Sequence, residues 1–199
     1  MYDLEIMFLM QYELRKRTIR IESINKLCLV KQIESGIQGH IPQQKLKNYA
    51  WNFTEELGEF LDSPSEAERN SEIIDALHFL IEICIASGIK ANQIAPSLAI
   101  LCDHSVEIRT NRSLTERAYT NEELICDIIL KLSRAMNLLK CRAWKIKSSF
   151  TKFDEFLFHI QSVWIAFISL CVEIKIEDQL LELYKEKYRI NHARIDMRC

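Results

Sequence analysis

Glycine and proline are scarce in this chain, four and three among 199 residues. So few turn-forming residues leave little to punctuate a series of strands, while Leu, Ile, Glu, Lys and Ala are plentiful, and the composition predicts an all-α protein. Cysteine offers no framework either. Its seven copies are odd in number, scattered, and never paired as C-x-x-C. They read as reduced thiols filling core positions, which excludes a zinc or disulfide scaffold. A net charge of -2 lacks the basic excess of a nucleic-acid coat or a membrane-surface protein. No charge-free apolar run reaches the roughly eighteen residues a bilayer span needs. Met1–Met10 carries Asp3 and Glu5 and has neither a basic region nor a cleavage site, so no signal peptide is expected. The expectation is a cytoplasmic chain with no nucleic-acid or membrane partner.

What the chain does have is acid at helical spacing: Glu55, Glu56 and Glu59, then Glu72 and Asp75. Residues three apart on a helix lie about 60° apart on neighbouring turns, so Glu56 shares a face with Glu59, and Glu72 with Asp75. The second pair sits in Glu72–Ala86, which is otherwise almost wholly apolar. Buried carboxylates are costly unless something positive lies between them. If the two segments form a hairpin about Pro64, four carboxylates converge on one spot. Oxygen donors without Cys or His point to a hard cation, Mg²⁺ or alternatively Mn²⁺. For Glu55, Glu56 and Glu59 alone, the competing reading is a solvated helix face.

Periodicity and caps divide the chain into helices. A first helix is expected from about Asp3 to beyond Lys31, with Leu4, Met7, Leu14 and Thr18 on one stripe and Gln11 inside it. Residues 35–42 read as a loop, and a second helix as Gln43–Asp62. Ser65 with Glu68 makes a capping box, followed by a pause near Asn70 and a buried helix Glu72–Ser87 closed by Gly88. Pro96 is expected to start a helix reaching Arg112. Thr120 with Glu123 opens Asn121–Leu139, and Asp154–Glu173 and Glu177–Arg194 complete the set. Glu122-Glu123-Leu124 echoes Glu55-Glu56-Leu57, and the apolar helix with His159 echoes the one with His78. Two reading frames remain: a degenerate duplication of a helical hairpin, or a chance echo of helical composition. The expected layout is one domain over 1–199, with a carboxylate half (1–112) and a second half (113–199) ending in a phosphate-binding helix.

The segments Glu55-Glu56-Leu57-Gly58-Glu59 and Glu72-Ile-Ile-Asp75-Ala-Leu-His78-Phe79-Leu80 resemble the E-x-x-E and E-x-x-D motifs of the all-α NTP pyrophosphohydrolases, the MazG-like superfamily. Within it, Asp75-Ala-Leu-His78-Phe79 and its continuation to Gly88 look most like the dimeric dUTPases and their phage dCTPase-dUTPase relatives. Met10-Gln11-x-x-Leu14 is similar to that branch's M-Q-x-x-L segment, whose glutamine contacts the pyrimidine. The stretch Lys187–Arg194 is similar to its K-N-x-x-N-x-x-R segment, whose Lys, Asn and Arg contact phosphate and sugar. The pieces occur in the family's order across nearly the whole chain. Departures exist: only twelve residues separate Glu59 from Glu72, without the family's Trp and Lys. A similar string, Ala143-Trp144-Lys145-Ile146-Lys147, appears in the second half, and Tyr188 and Ile195 replace the family's Asn and Gln. The resemblance implies a homodimer that cleaves dUTP, with dCTP second.

Other residues fit a nucleotide. Tyr184, Lys187, Asn191 and Arg194 follow a spacing of three, four and three and line one helix face, which suits a triphosphate, with Lys187 as a point charge and Arg194 as a planar fork. A solvated terminal helix is the alternative. Gln11 offers a donor and an acceptor to a pyrimidine edge, and a flipped amide reads uracil or cytosine equally well. Lys131, Arg134, Lys140, Arg142, Lys145, Lys147 and Lys152 fall in an acid-free stretch, 128–153, that suits either phosphates, with Trp144 stacking on a base, or plain solvent. His78 reads as a core histidine, and Glu82 as a carboxylate behind the ligands or a surface charge. The expected reaction is Mg²⁺-dependent hydrolysis to a monophosphate and pyrophosphate, with Glu56, Glu59, Glu72 and Asp75 as metal ligands. Glu56 or Glu55 accepts the proton of water. The alternatives are a dCTPase, a broad MazG-like pyrophosphohydrolase, and a helical binding or regulatory protein without activity.

Overall fold

The computed structural model describes residues 3–22, 37–99, 119–140 and 151–197, and among them every regular element is helical. The helices are α1 (Leu4–Glu22), α2 (His40–Asp62), α3 (Glu66–Ser87), α4 (Asn121–Leu138), α5 (Phe153–Glu173) and α6 (Leu180–Asp196). A further helical run covers 91–99. Two hairpins dominate: α2 packs along α3, and α4 along α5. Helix α1 lies against α3 and α6, and α6 against α3.

Local sequence explains most boundaries. Buried Leu4, Met7, Gln11 and Leu14 recur at helical spacing along α1, which ends at Glu22; the expected extension to Lys31 lies outside the described residues. Helix α2 begins at His40, earlier than proline suggests. Pro42 falls in its first turn, where backbone N–H groups have no helical acceptor, so a missing donor costs nothing there. The residues that α2 buries, Gln43, Leu46, Ala50, Phe53, Leu57 and Phe60, form a stripe of three- and four-residue steps.

Helix α3 opens on the expected capping box. Ser65 Oγ accepts from the Glu68 N–H at 3.2 Å and the Ser65 N–H donates to Glu68 Oε2 at 3.3 Å. It then runs without a pause at Asn70 to Ser87, because the box supplies a nucleus and the packed face beyond it is continuous. Gly88 closes it with φ of 82°, a left-handed conformation that glycine adopts without strain. The next helical run starts at 91, so Pro96 lies inside a helix that it was expected to begin; its continuation toward Arg112 is outside the described residues. The Thr120 box opens α4 as expected, with Thr120 N–H to Glu123 Oε2 at 2.9 Å. Helix α6 starts at Leu180, not Glu177, since 177–179 form turns.

Helix α5 is long and apolar enough, by length and composition, to cross a bilayer, with mean hydropathy 1.6, yet half of that window is buried inside the bundle. Its Trp164 is fully buried, stacks on Phe8 of α1 with centroids 6.2 Å apart, and donates to Cys84 Sγ of α3 at 3.2 Å. Phe167 meets Phe53 of α2 at 6.0 Å, tying the two hairpins together. Thr151 ties them again. Gln38 Nε2 donates to its carbonyl at 2.8 Å, Gln43 Nε2 reaches its hydroxyl at 3.1 Å, and that hydroxyl donates to Leu138 O. The core cysteines are inert: burial pushes the Cys84 thiol up to about 12.

Truncating Phe53 to alanine removes both its burial and its partner ring, and should cost about 3–5 kcal/mol of stability in urea unfolding. Leu130→Ala, at a position 60 % exposed, should stay within about 0.5 kcal/mol of wild type. Equal losses for the two would contradict the packing described.

Candidate metal centre and the buried network beside it

The α2–α3 hairpin turns on three residues, Ser63–Ser65, and is held there from both sides: Ser63 Oγ donates to Glu59 O at 2.8 Å and Arg69 Nη1 to Ser63 O at 3.3 Å. That short link sets the last turns of α2 against the first turns of α3. Glu56, Glu59 and Glu72 meet there, each offering a carboxylate oxygen within 4.8 Å of the others. Glu56 and Glu72 are half-buried and Glu59 exposed, so the cluster stands at the edge of the core and is open to solvent.

Crowded carboxylates resist ionisation. Partial burial pushes the Glu56 carboxyl up to about 7, and the charges of Asp75, Glu59 and Glu72 and a hydrogen bond with Glu72 push the same way. Asp75 therefore adjoins the cluster, although its own carboxylate is engaged: Lys187 of α6 forms an ion pair with it. Lys187 Nζ also donates to Ser71 Oγ at 2.9 Å. Glu55 is exposed on α2 and lies outside the three-carboxylate group. Excess negative charge, oxygen-only donors and partial access are what Mg²⁺ or Mn²⁺ requires, so the residues present fit such an ion.

One layer inward is a buried polar network that the sequence pattern did not reveal as such. Gln11 is 5 % exposed, and both its amide oxygen and its amide nitrogen have buried partners. Its Nε2 donates to Glu82 Oε1 at 2.8 Å, and its Oε1 accepts from Tyr184 OH at 2.8 Å and pairs with His78 Nδ1 at 2.6 Å. An amide oxygen can only accept, so Nδ1 carries the proton and Nε2 is left as an acceptor. That Nε2 is buried and has no hydrogen-bond partner among the described residues. The His78 ring stacks on Tyr184, with centroids 4.1 Å apart. Burial, and then the charge of Lys187, lower its pKa to about 3, so His78 is neutral at physiological pH.

Glu82 is not a surface charge. It is 7 % exposed and accepts from Arg15 Nη1 at 2.9 Å, both partners being buried. Burial pushes its pKa up, while Arg15, Gln11 and Lys45 pull it down. Arg15 and Glu82 were missed as a pair because 67 residues separate them. The available signal was an arginine four residues after Gln11, on the same apolar stripe.

The α6 face divides. Tyr184 is fully buried in the network, and Lys187 is held by Asp75 and Ser71. Farther along, Asn191 is half-buried and Arg194 exposed, joined by a weak contact of 3.5 Å between Arg194 Nη1 and Asn191 Oδ1. Of the basic stretch, Lys131 pairs with Asp127 and Lys152 with Glu155 at 2.7 Å, while Trp144 and 141–150 lie outside the described residues. A separate groove of about 480 Å³ between α2 and α4, lined by Trp51, Leu132 and Met136 among others, holds none of the clustered carboxylates.

The carboxylate cluster makes metal-free stability depend on pH. A carboxyl near 7 in the fold and near 4.5 when unfolded favours the folded state below about 4.5, and that advantage is lost as pH rises through 7. In chelator, the melting temperature of wild type relative to Glu56→Gln should therefore fall between pH 4.5 and 7, and added Mg²⁺ should restore it at pH 8. Parallel pH profiles for the two proteins would contradict the crowding.

A family model described as dUTPase matches residues 3–198 of the chain. Searches of curated proteins and of solved structures each returned no match.

Proposed function

The chain belongs to the dUTPase family, which hydrolyses dUTP, and on that footing we propose that it is a Mg²⁺-dependent pyrophosphohydrolase that converts dUTP to the monophosphate and pyrophosphate. The observation that carries this reading is the convergence of Glu56, Glu59 and Glu72, with Asp75 beside them, on a half-open edge of the bundle. These four residues would hold the ion. When bound, Mg²⁺ screens the charge of the phosphates and makes a water easier to deprotonate.

The remaining roles fall to the chain's own groups. Attack of water on a phosphoanhydride needs a proton acceptor, and Glu56, half-buried in the cluster beside Glu59 and Glu72, is placed to be one. Glu55 is the weaker candidate, since it is exposed and outside the cluster. Lys187 lies close enough to the carboxylates to meet a phosphate, while Asn191 and Arg194 continue the same helix toward solvent. Gln11 would face the base from within the network: Glu82 fixes its amide so that one N–H remains to donate, and His78 Nε2 supplies an acceptor. One donor and one acceptor match the edge of either uracil or cytosine, so the network supports a pyrimidine without choosing between them. Tyr184 is the buried support of Gln11, in place of a direct phosphate contact. A homodimer, as the family resemblance implies, belongs to the same proposal.

A panel of deoxynucleoside triphosphates with Mg²⁺ and pyrophosphate detection tests this reading. Turnover should be confined to dUTP, or to dUTP and dCTP, and Glu72→Gln or Asp75→Asn should abolish it with helicity intact. Broad turnover would favour a general pyrophosphohydrolase, and wild-type activity in either variant would show that the carboxylates are misassigned.

A further inference from the structure

We propose that Lys187 is a built-in counter-cation of the carboxylate cluster, which withholds Asp75 from a divalent ion until a phosphate draws the lysine away. The inference rests on the metal site proposed above and concerns how that site is loaded.

The geometry is specific. Asp75 and Ser71 lie one turn apart on α3, and the Lys187 ammonium, reaching across from α6, engages both: an ion pair with Asp75 and a hydrogen bond of 2.9 Å to Ser71 Oγ. Lys187 is 14 % exposed and Asp75 22 %, so the pair is sheltered from solvent. Between Ser71 and Asp75 lies Glu72, whose carboxylate belongs to the three-membered cluster. A single ammonium thus stands against four carboxylates, and it is bound to one of them. The other three are drawn within 4.8 Å of one another with no cation among them that the described contacts supply.

Two things follow from an ammonium having three donors and no preference for a particular anion. For Asp75 to ligate an ion, its oxygen must exchange Lys187 for that ion. The freed ammonium, sheltered and next to a fully buried Tyr184 helix turn, then needs another anion, and a nucleotide phosphate supplies one. Ion and phosphate therefore favour each other's binding. Coupling of this kind is reciprocal, so it is visible in metal affinity alone.

The test is calorimetric titration of Mn²⁺ into the full chain, with and without a non-hydrolysable dUTP analogue, with circular dichroism to verify folding. Without nucleotide, Lys187→Met should bind Mn²⁺ more tightly than wild type, by a factor within the roughly 5–150-fold range of typical couplings. Lys187→Arg, which keeps the charge, should stay near wild type. The analogue should tighten Mn²⁺ binding to wild type and do so much less for Lys187→Met. Unchanged or weaker Mn²⁺ binding by Lys187→Met would overturn the inference. The metal site itself is checked separately: Mn²⁺ binding to wild type should be lost in Glu72→Gln. If Glu72→Gln binds as wild type does, the site is misassigned and the inference falls with it.

Discussion

Mutual repulsion among the carboxylates at the α2–α3 turn is the constraint around which the rest of the structure is arranged. Bringing Glu56, Glu59 and Glu72 within 4.8 Å at the edge of a core is unfavourable by itself, and the fold pays for it with two devices. A three-residue link, fixed by the Ser65 capping box and the Ser63 bonds, leaves the two helix ends no freedom to separate. Beyond the turn, α2 and α3 bury continuous apolar stripes whose packing outweighs local repulsion. A divalent ion bound among the four acids would relieve this repulsion.

The Gln11–Glu82–Arg15–His78–Tyr184 network is the second consequence. It joins α1, α3 and α6 through hydrogen bonds instead of apolar contact alone, which fixes their relative register more narrowly than packing does. Because Tyr184 and Lys187 lie one turn apart on α6, the same helix carries the network's aromatic anchor and the cation that meets Asp75. Displacement of α6 would therefore be felt at both the base-facing and the metal-facing side of the proposed site. Burial, and then the charge of Lys187, keep His78 neutral, leaving its Nε2 an acceptor at all physiological pH values.

Much of this was legible in the sequence, and what was not has a common physical cause. The E-x-x-E and E-x-x-D pairs, both capping boxes and the Gly88 terminus depend on residues within a turn of one another, so spacing alone reveals them. Helix starts misled where proline was read as a boundary, because Pro42 and Pro96 sit inside helices, the first at a position where a missing N–H is harmless. Long-range partners were invisible. Tyr184 shares the spacing of Lys187, Asn191 and Arg194, yet is wholly buried, since periodicity does not distinguish an aromatic hydroxyl aimed at a ligand from one bonded to Gln11. Glu82 looked like a charge near the ligands, and only the fold brings Arg15 to it. Lys187 was read as a phosphate contact, and its attachment to Asp75 required α3 and α6 side by side.

The most direct measurement is anomalous diffraction from crystals grown with Mn²⁺ and a non-hydrolysable dUTP analogue. The account predicts manganese between Glu56, Glu59, Glu72 and Asp75, with the Lys187 ammonium moved from Asp75 onto a phosphate oxygen. Manganese elsewhere, or a nucleotide bound away from this turn with Lys187 still on Asp75, would contradict it.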